Sequence, residues 1–219
     1  MPKETFFNLD EQKQKKIINK TMKEFAEKGY KNGNIGTIAK NAGVSKGSMY
    51  QYFDDKKELC LYCVKLACDI SFKYVDNKIK DCYDMSVFDY IYFGYKNAWT
   101  LFKDEREVYV FLQNISLDIK SDISEDVFNI IGKESQLYFK QIMEMIENNK
   151  KQGLMRRDIS TANIWIYISA VSGKFKEGML VIAKEKGKEI YDMSFEDFEP
   201  FIKDMISLMK NGIGQNNGG

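Results

Sequence analysis

The sequence contains no histidine among its 219 residues. That absence excludes Ser-His-Asp and Cys-His catalytic groups, histidine-based zinc sites and an imidazole proton shuttle. Proline occurs only twice, which favours long helices, because proline breaks them and marks turns. Arginine is scarce: Arg106, Arg156 and Arg157 are the only arginines among 33 basic residues. No apolar run approaches the roughly 18 residues that would cross a bilayer. The opening stretch, MPKETFFNLDEQKQKK, has no apolar core after a basic start, so no export signal is expected and the expected location is cytoplasmic. Four cysteines in that setting read as reduced thiols. What remains is a chain with 30% charged and 44% apolar residues, long enough for one or two domains with a buried core.

The formal net charge of +1 conceals an asymmetry. Residues 1–60 hold 12 lysines against 8 carboxylates, a net of +4, which leaves −3 for the remainder. A basic first segment on a slightly acidic body points to an anionic partner for that segment, although a solvated surface accounts for the charge equally well.

Hydrophobic periodicity is helical throughout, with no convincing period-two alternation and no internal repeat. Ile17, Ile18, Met22, Phe25 and Ala26 share one face of a first helix, with Asp10 as its N-cap and Gly29 as its C-cap. Short helices follow near 35–41 and 46–53, then longer ones near 56–80, 87–103, 105–115, 125–152, 161–186 and 195–210. The end, GIGQNNGG, has almost nothing to bury and reads as a flexible tail.

The most informative stretch is IGTIAKNAGVSKGSMYQYFDDKKEL, residues 35–59. Ile35, Ile38, Ala39 and Ala42 give a short helix its apolar face, and the small Ala39 permits close packing. Gly43 supplies a positive-φ turn, Val44 plugs that turn into the core, and Ser45 caps the next helix. This is the pattern of a helix-turn-helix, whose second helix enters the DNA major groove. On that helix Met49 and Phe53 point to the core, while Lys46, Gly47, Ser48, Gln51 and Tyr52 are expected to face outward. Lys46 and Lys56 suit phosphates, as do the hydroxyls of Ser45, Ser48, Tyr50 and Tyr52. Gln51 suits paired hydrogen bonds to adenine, and Gly47 lets the backbone approach closely.

At this point the segment resembles the TetR family of transcriptional regulators. The matching residues are Gly29-Tyr30, Ile38-Ala39, Ala42-Gly43-Val44-Ser45, Gly47, Tyr50, Phe53 and Lys56 to Leu59, covering about residues 10–60 without a gap. One departure stands out. The family usually has Thr followed by Ser or Thr at the start of the second helix, where a hydroxyl caps the helix and touches a phosphate; here Gly33-Asn34 takes that place. Asn34 can still cap, and Thr37 could in part replace the hydroxyl. The resemblance implies a homodimer that reads two half-sites of a palindromic operator. It also implies a small-molecule effector whose binding in the C-terminal domain changes the spacing of the two heads, most often releasing the DNA.

In the C-terminal part, Trp165, Ile168, Ser172, Phe175, Met179 and Ile182 recur at steps of three and four, and Phe198, Ile202, Met205 and Met209 repeat the stripe in the last helix. The resemblance makes these a four-helix dimer interface; an intramolecular core stripe is the alternative. Residues 88–111 hold nine aromatics, on too many faces for one core stripe. Tyr92, Phe93, Tyr95, Trp99, Phe102 and Tyr109 are the candidate effector pocket, while an aromatic-rich core would account for the same residues. Cys60, Cys63, Cys68 and Cys82 read as buried structural thiols, with redox or metal sensing as the alternative.

The expected architecture is therefore all-α, with a three-helix helix-turn-helix DNA-binding domain at 1–57, an effector-binding and dimerisation domain at 58–211, and a flexible tail at 212–219. The expected function is that of a DNA-binding regulator, most simply a repressor, and not an enzyme. No cofactor or metal is expected, the partners being duplex DNA, a small molecule and a second copy of the chain. An all-helical enzyme or carrier is the competing reading.

Overall fold

The computed structural model describes residues 1–79 and 85–213; the side chains at 75–79, 134, 137, 175, 176, 191 and 213 lie outside that description. Cys82 and residues 214–219 of the expected tail likewise lie outside the described residues. Among the described residues the structure is helical, without strands. The helices are α1 (Glu4–Phe7), α2 (Glu11–Asn32), α3 (Ile35–Ala42), α4 (Lys46–Tyr52), α5 (Lys56–Ile79), α6 (Val87–Asp104), α7 (Arg106–Leu117), α8 (Ser124–Lys151), α9 (Thr161–Glu185) and α10 (Phe195–Ile213), with a 3-10 turn at Ile190–Asp192.

The starts follow local chemistry. Asp10 accepts from the Lys13 amide, Ser45 from the Ser48 amide, and Ser160 from the Asn163 amide, so each covers a donor that the first helical turn leaves unpaired. Asp54 and Asp55 begin α5 reciprocally with Glu58. The Asp55 carboxylate accepts from the Glu58 amide at 2.7 Å, and the Glu58 carboxylate accepts from the Asp54 amide at 2.6 Å. The sequence did not announce α1, because four residues are too few to show a helical period.

The chain forms two compact units. The first comprises Met1–Tyr74 and Asp104–Ser135; the second comprises Val75–Lys103 and Gln136–Gly219. Compactness thus draws its line differently from a cut after residue 57. The physical reason is that α3 and α4, of eight and seven residues, cannot bury enough surface by themselves. The first unit's core joins Phe25, Ile38, Met49 and Phe53 to Leu59, Cys60, Cys63 and Val64 of α5 and to Phe111 and Ile115 of α7. The second unit's core joins Val87, Phe88 and Ile91 of α6 to Ile146 of α8, Ile164 and Ile168 of α9, and Met209 of α10. There the buried Asn149 side chain caps α6 from α8, accepting from the Val87 amide at 2.7 Å and donating to the Met85 carbonyl at 3.4 Å. Among the described residues, no helix is long and apolar enough to cross a membrane.

Candidate nucleic-acid interface

Two short helices meet at a left-handed glycine. Gly43 has φ +77° and ψ +33°, and its amide and that of Val44 return to the Lys40 and Ala39 carbonyls. This closes α3 with the double bond pattern that a glycine C-cap permits. Ile35, Ile38, Ala39 and Ala42 are buried, as their spacing requires, and Met49 and Phe53 anchor α4 with 1% and 2% of their surface exposed. Lys46, Gly47, Tyr50 and Gln51 are exposed on the opposite side of α4, and Ser48 is half-exposed. A Cβ at Gly47 would meet only the Ser45 hydroxyl at 3.7 Å, so the backbone there is open to close approach.

The Ser45 and Ser48 hydroxyls lie 2.8 Å apart. Asn34 is the N-cap of α3, its side-chain oxygen accepting from the Gly36 amide at 2.7 Å and the Thr37 amide at 3.3 Å. Its own amide is held by the buried Glu24 carboxylate at 3.1 Å. Thr37 is exposed one turn beyond.

Two expected contacts take other places. Tyr52 is buried, with 9% exposed, against Phe6 at a ring separation of 6.2 Å. The covering ring belongs to α1, so the outward assignment of Tyr52 is corrected. Lys56 is half-buried. Its ammonium donates to the Lys31 carbonyl at 3.1 Å and the Gly33 carbonyl at 3.4 Å, and it sits 4.6 Å from the centre of the Tyr30 ring. It neutralises the carbonyl end of α2, which occupies most of its donors.

The structure adds a support that periodicity did not reveal. The last carbonyls of a helix lack partners within it. In α4 the Lys3 side chain donates to the Tyr50 carbonyl at 3.1 Å, the Thr5 hydroxyl donates to that of Gln51, and the Lys3 amide donates to that of Tyr52 at 2.9 Å. Residues 3–5 therefore cap the exposed helix from outside it. The head's lysine ion pairs are Lys3–Asp54, Lys23–Glu27 and Lys57–Asp126. Among the described residues no carboxylate lies within ion-pair distance of Lys13, Lys16, Lys20, Lys40 or Lys46.

The candidate pocket residues divide between the units. Tyr109 belongs to the first, and Tyr92, Phe93, Tyr95, Trp99 and Phe102 to the second. Trp99 and Phe102 are buried with rings 5.2 Å apart, and Trp99 also meets Phe198 at 4.9 Å. Tyr92 donates to the Glu199 carboxylate at 2.6 Å, which raises the phenol's pKa and lowers that of the carboxyl. The Tyr95 hydroxyl lies 3.7 Å from the Met205 sulfur.

Of the expected dimer stripe, Ile168, Ile202 and Met209 are buried within the chain at 4%, 1% and 0% exposure. Trp165 packs on Phe139 at 5.7 Å, and Ser172, Met179 and Met205 are half-buried; the Phe175 side chain lies outside the described residues. For the buried members the stripe is an intramolecular core stripe, because the second unit covers that face. Cys60, Cys63 and Cys68 are buried, and burial pushes the Cys60 thiol up to about 12 and Cys63 well above its ordinary value. Among the described residues, no group of three or more cysteine, aspartate or glutamate side chains is placed to hold a metal ion.

An all-α chain with this turn, and with a capped second helix exposed along one side, is a helix-turn-helix protein. Residues 17–63 match the family of bacterial regulatory proteins, tetR family. A relative in Bacillus subtilis (strain 168), the uncharacterized HTH-type transcriptional regulator YuxN, is 38% identical over 66 residues. That stretch is 30% of this chain and only 23% of YuxN. A crystal structure of a TetR family transcriptional regulator from Chloroflexus aurantiacus superposes with a TM-score of 0.75 at 21% identity, over 99% of this chain and 100% of that one. The FadR regulator of Bacillus subtilis in complex with stearoyl-CoA superposes with a TM-score of 0.65 at 16% identity, over 91% of this chain and 98% of that one. These likenesses concern the fold, over 99% and 91% of the chain.

Proposed function

We propose that the chain is a dimeric transcriptional regulator that binds a palindromic operator through α4 and is released from it by a small molecule. The observation that carries this reading is the head itself. A helix anchored by Met49 and Phe53 presents Lys46, Ser48, Tyr50 and Gln51 together, beside lysines that no carboxylate among the described residues neutralises. Lys46 and the α2 lysines Lys13, Lys16 and Lys20 serve phosphates, while Gln51 and Ser48 serve base edges. The support for Tyr52 and Lys56 is different: both hold the head together.

A second copy is the partner that best suits the other side of α9 and α10. Ile166 and Val181 on α9 are 62% and 57% exposed, and Phe201 and Leu208 on α10 are 42% and 71% exposed. Ala170 and Gly173 lie between the first two on the same face of α9 and would let another helix approach. This face, and not the stripe through Ile168, Ile202 and Met209, is the proposed dimer surface. Duplicated heads would then read two half-sites related by the dimer axis.

The effector belongs to the aromatic-rich helical body. Stearoyl-CoA, present in the similar FadR structure, is one member of the panel to screen, with flat aromatic and cationic compounds beside it. Selection of binding sites from a random duplex pool tests the reading. An inverted repeat should emerge, and one compound of the panel should dissociate it. A pool that converges on no sequence would contradict the reading.

A further inference from the structure

The helix that supports the head is broken just before it reaches the head. Within α2, Gly29 has φ +71° and ψ +169°, far from helical values, and one more turn follows to Asn32. Helical torsions at residues 27 to 29 are what would bring the Tyr30 amide onto the Ala26 carbonyl. The break therefore releases that carbonyl, and a released carbonyl needs a donor. Asn114 of α7 supplies one: its side-chain amide donates to the Ala26 carbonyl at 2.8 Å.

On the far side of the break, the turn is tied down residue by residue. The Gly33 amide returns to the Gly29 carbonyl at 3.0 Å, and Lys56 holds the Lys31 and Gly33 carbonyls from α5. Next in the chain is Asn34, the N-cap of α3. Five residues thus connect the break to the first turn of the helix-turn-helix, and the hold on its near side comes from outside both.

We propose that Asn114 is a positioning residue for the DNA-reading head: by pairing the carbonyl that the Gly29 break leaves open, it fixes the turn from which α3 starts. The consequence for DNA rests on the function proposed above; the hold on the turn does not. Asn114 is exposed, so removing its amide opens no cavity. It is also remote in sequence from the whole 35–59 motif, which is why that motif does not show it.

Two variants of the full chain test the assignment. Asn114→Ala removes the donor, and Asn114→Gln keeps an amide on a longer arm. In hydrogen exchange, Asn114→Ala should speed the amides of residues 30–38 about five- to tenfold, the scale of one lost hydrogen bond. Amides in the rest of α7 should stay within about twofold, whereas a merely structural loss would loosen α7 as well. Asn114→Gln should restore at least part of the protection. Preferred-sequence DNA should bind Asn114→Ala about tenfold more weakly, with binding to random DNA at low salt unchanged, because no lysine is altered. Unchanged exchange at 30–38, or faster exchange with undiminished specific binding, would overturn the assignment. If the unaltered chain prefers no DNA sequence, the functional reading falls, and the exchange comparison alone decides whether Asn114 holds the turn.

Discussion

The ring of Phe25 occupies the space that a side chain at position 33 would need. A Cβ on Gly33 would stand 2.4 Å from Phe25 Cδ1 and 2.5 Å from Cε1, which no real pair of carbons tolerates. Phe25 packs under the chain where it enters α3, and glycine is what fits above it. Gly33→Thr, which restores the family pattern, should destabilise the protein by about 1–3 kcal/mol and lower Tm by several degrees. The same change made with Phe25→Leu should cost less than the two single changes together, since Leu vacates the contested space. Thermal denaturation of the four proteins in the cycle measures this coupling; additive losses would mean that the ring and position 33 do not compete.

Lys46 and Lys56 should separate into two roles. Lys46 is exposed, with no carboxylate among the described residues at ion-pair distance, so Lys46→Ala should leave Tm nearly unchanged. It should make the dependence of log affinity on log salt shallower by about 0.9 for each phosphate that the lysine neutralises. Lys56 is engaged with the end of α2, so Lys56→Met should lower Tm and weaken specific more than non-specific DNA binding. Titrations at several salt concentrations, with a melting curve for each variant, distinguish the two. Identical profiles would remove the distinction between the two lysines.

The thiols of Cys60, Cys63 and Cys68 should be silent in the folded protein. All three are buried, and at about 12 the Cys60 thiol is almost wholly protonated at pH 8. In a Cys82→Ser background, a thiol reagent such as an aromatic disulfide should react only as fast as the chain opens. A fast stoichiometric burst at pH 8 would revive redox sensing through the Cys-x-x-Cys pair.

Asp197 should contribute an acid limb to stability. The Ser194 amide at 2.9 Å and the Lys186 ammonium at 3.3 Å hold its carboxyl down to about 2, below the ordinary 3.8. A lowered folded-state pKa means that the contribution is complete above the ordinary value and is lost as pH falls from about 4 towards 2. Tm measured from pH 5 to pH 2 should fall more steeply for the natural chain than for Asp197→Asn. Parallel curves would show that this pair adds nothing in acid.

What could be read from the sequence was what local chemistry decides. Asp10, Asn34, Ser45 and Gly43 mark helix ends through bonds to residues two to four positions away. What could not be read depends on neighbours far along the chain. Tyr52 looked outward because its cover, Phe6, lies 46 positions earlier in a helix too short to show a period. Lys56 looked free because Tyr30 and Gly33 reach it only through the fold. The α9 stripe was visible, but periodicity says which side chains share a face and not what covers them. The second unit claims Ile168 and Met209 and leaves Ile166 and Val181 exposed.

If the head reads a DNA sequence, the chain must prefer one duplex over others. The most direct measurement is the affinity of the full chain for duplex fragments flanking its own gene and for random duplex of equal length, titrated by fluorescence anisotropy at about 0.15 M salt. One fragment should bind at least about a thousandfold more tightly than random duplex, the lower end for specific regulators, and Gln51→Ala should narrow that gap. Equal affinity for every duplex, falling alike with salt, would contradict a sequence-reading head.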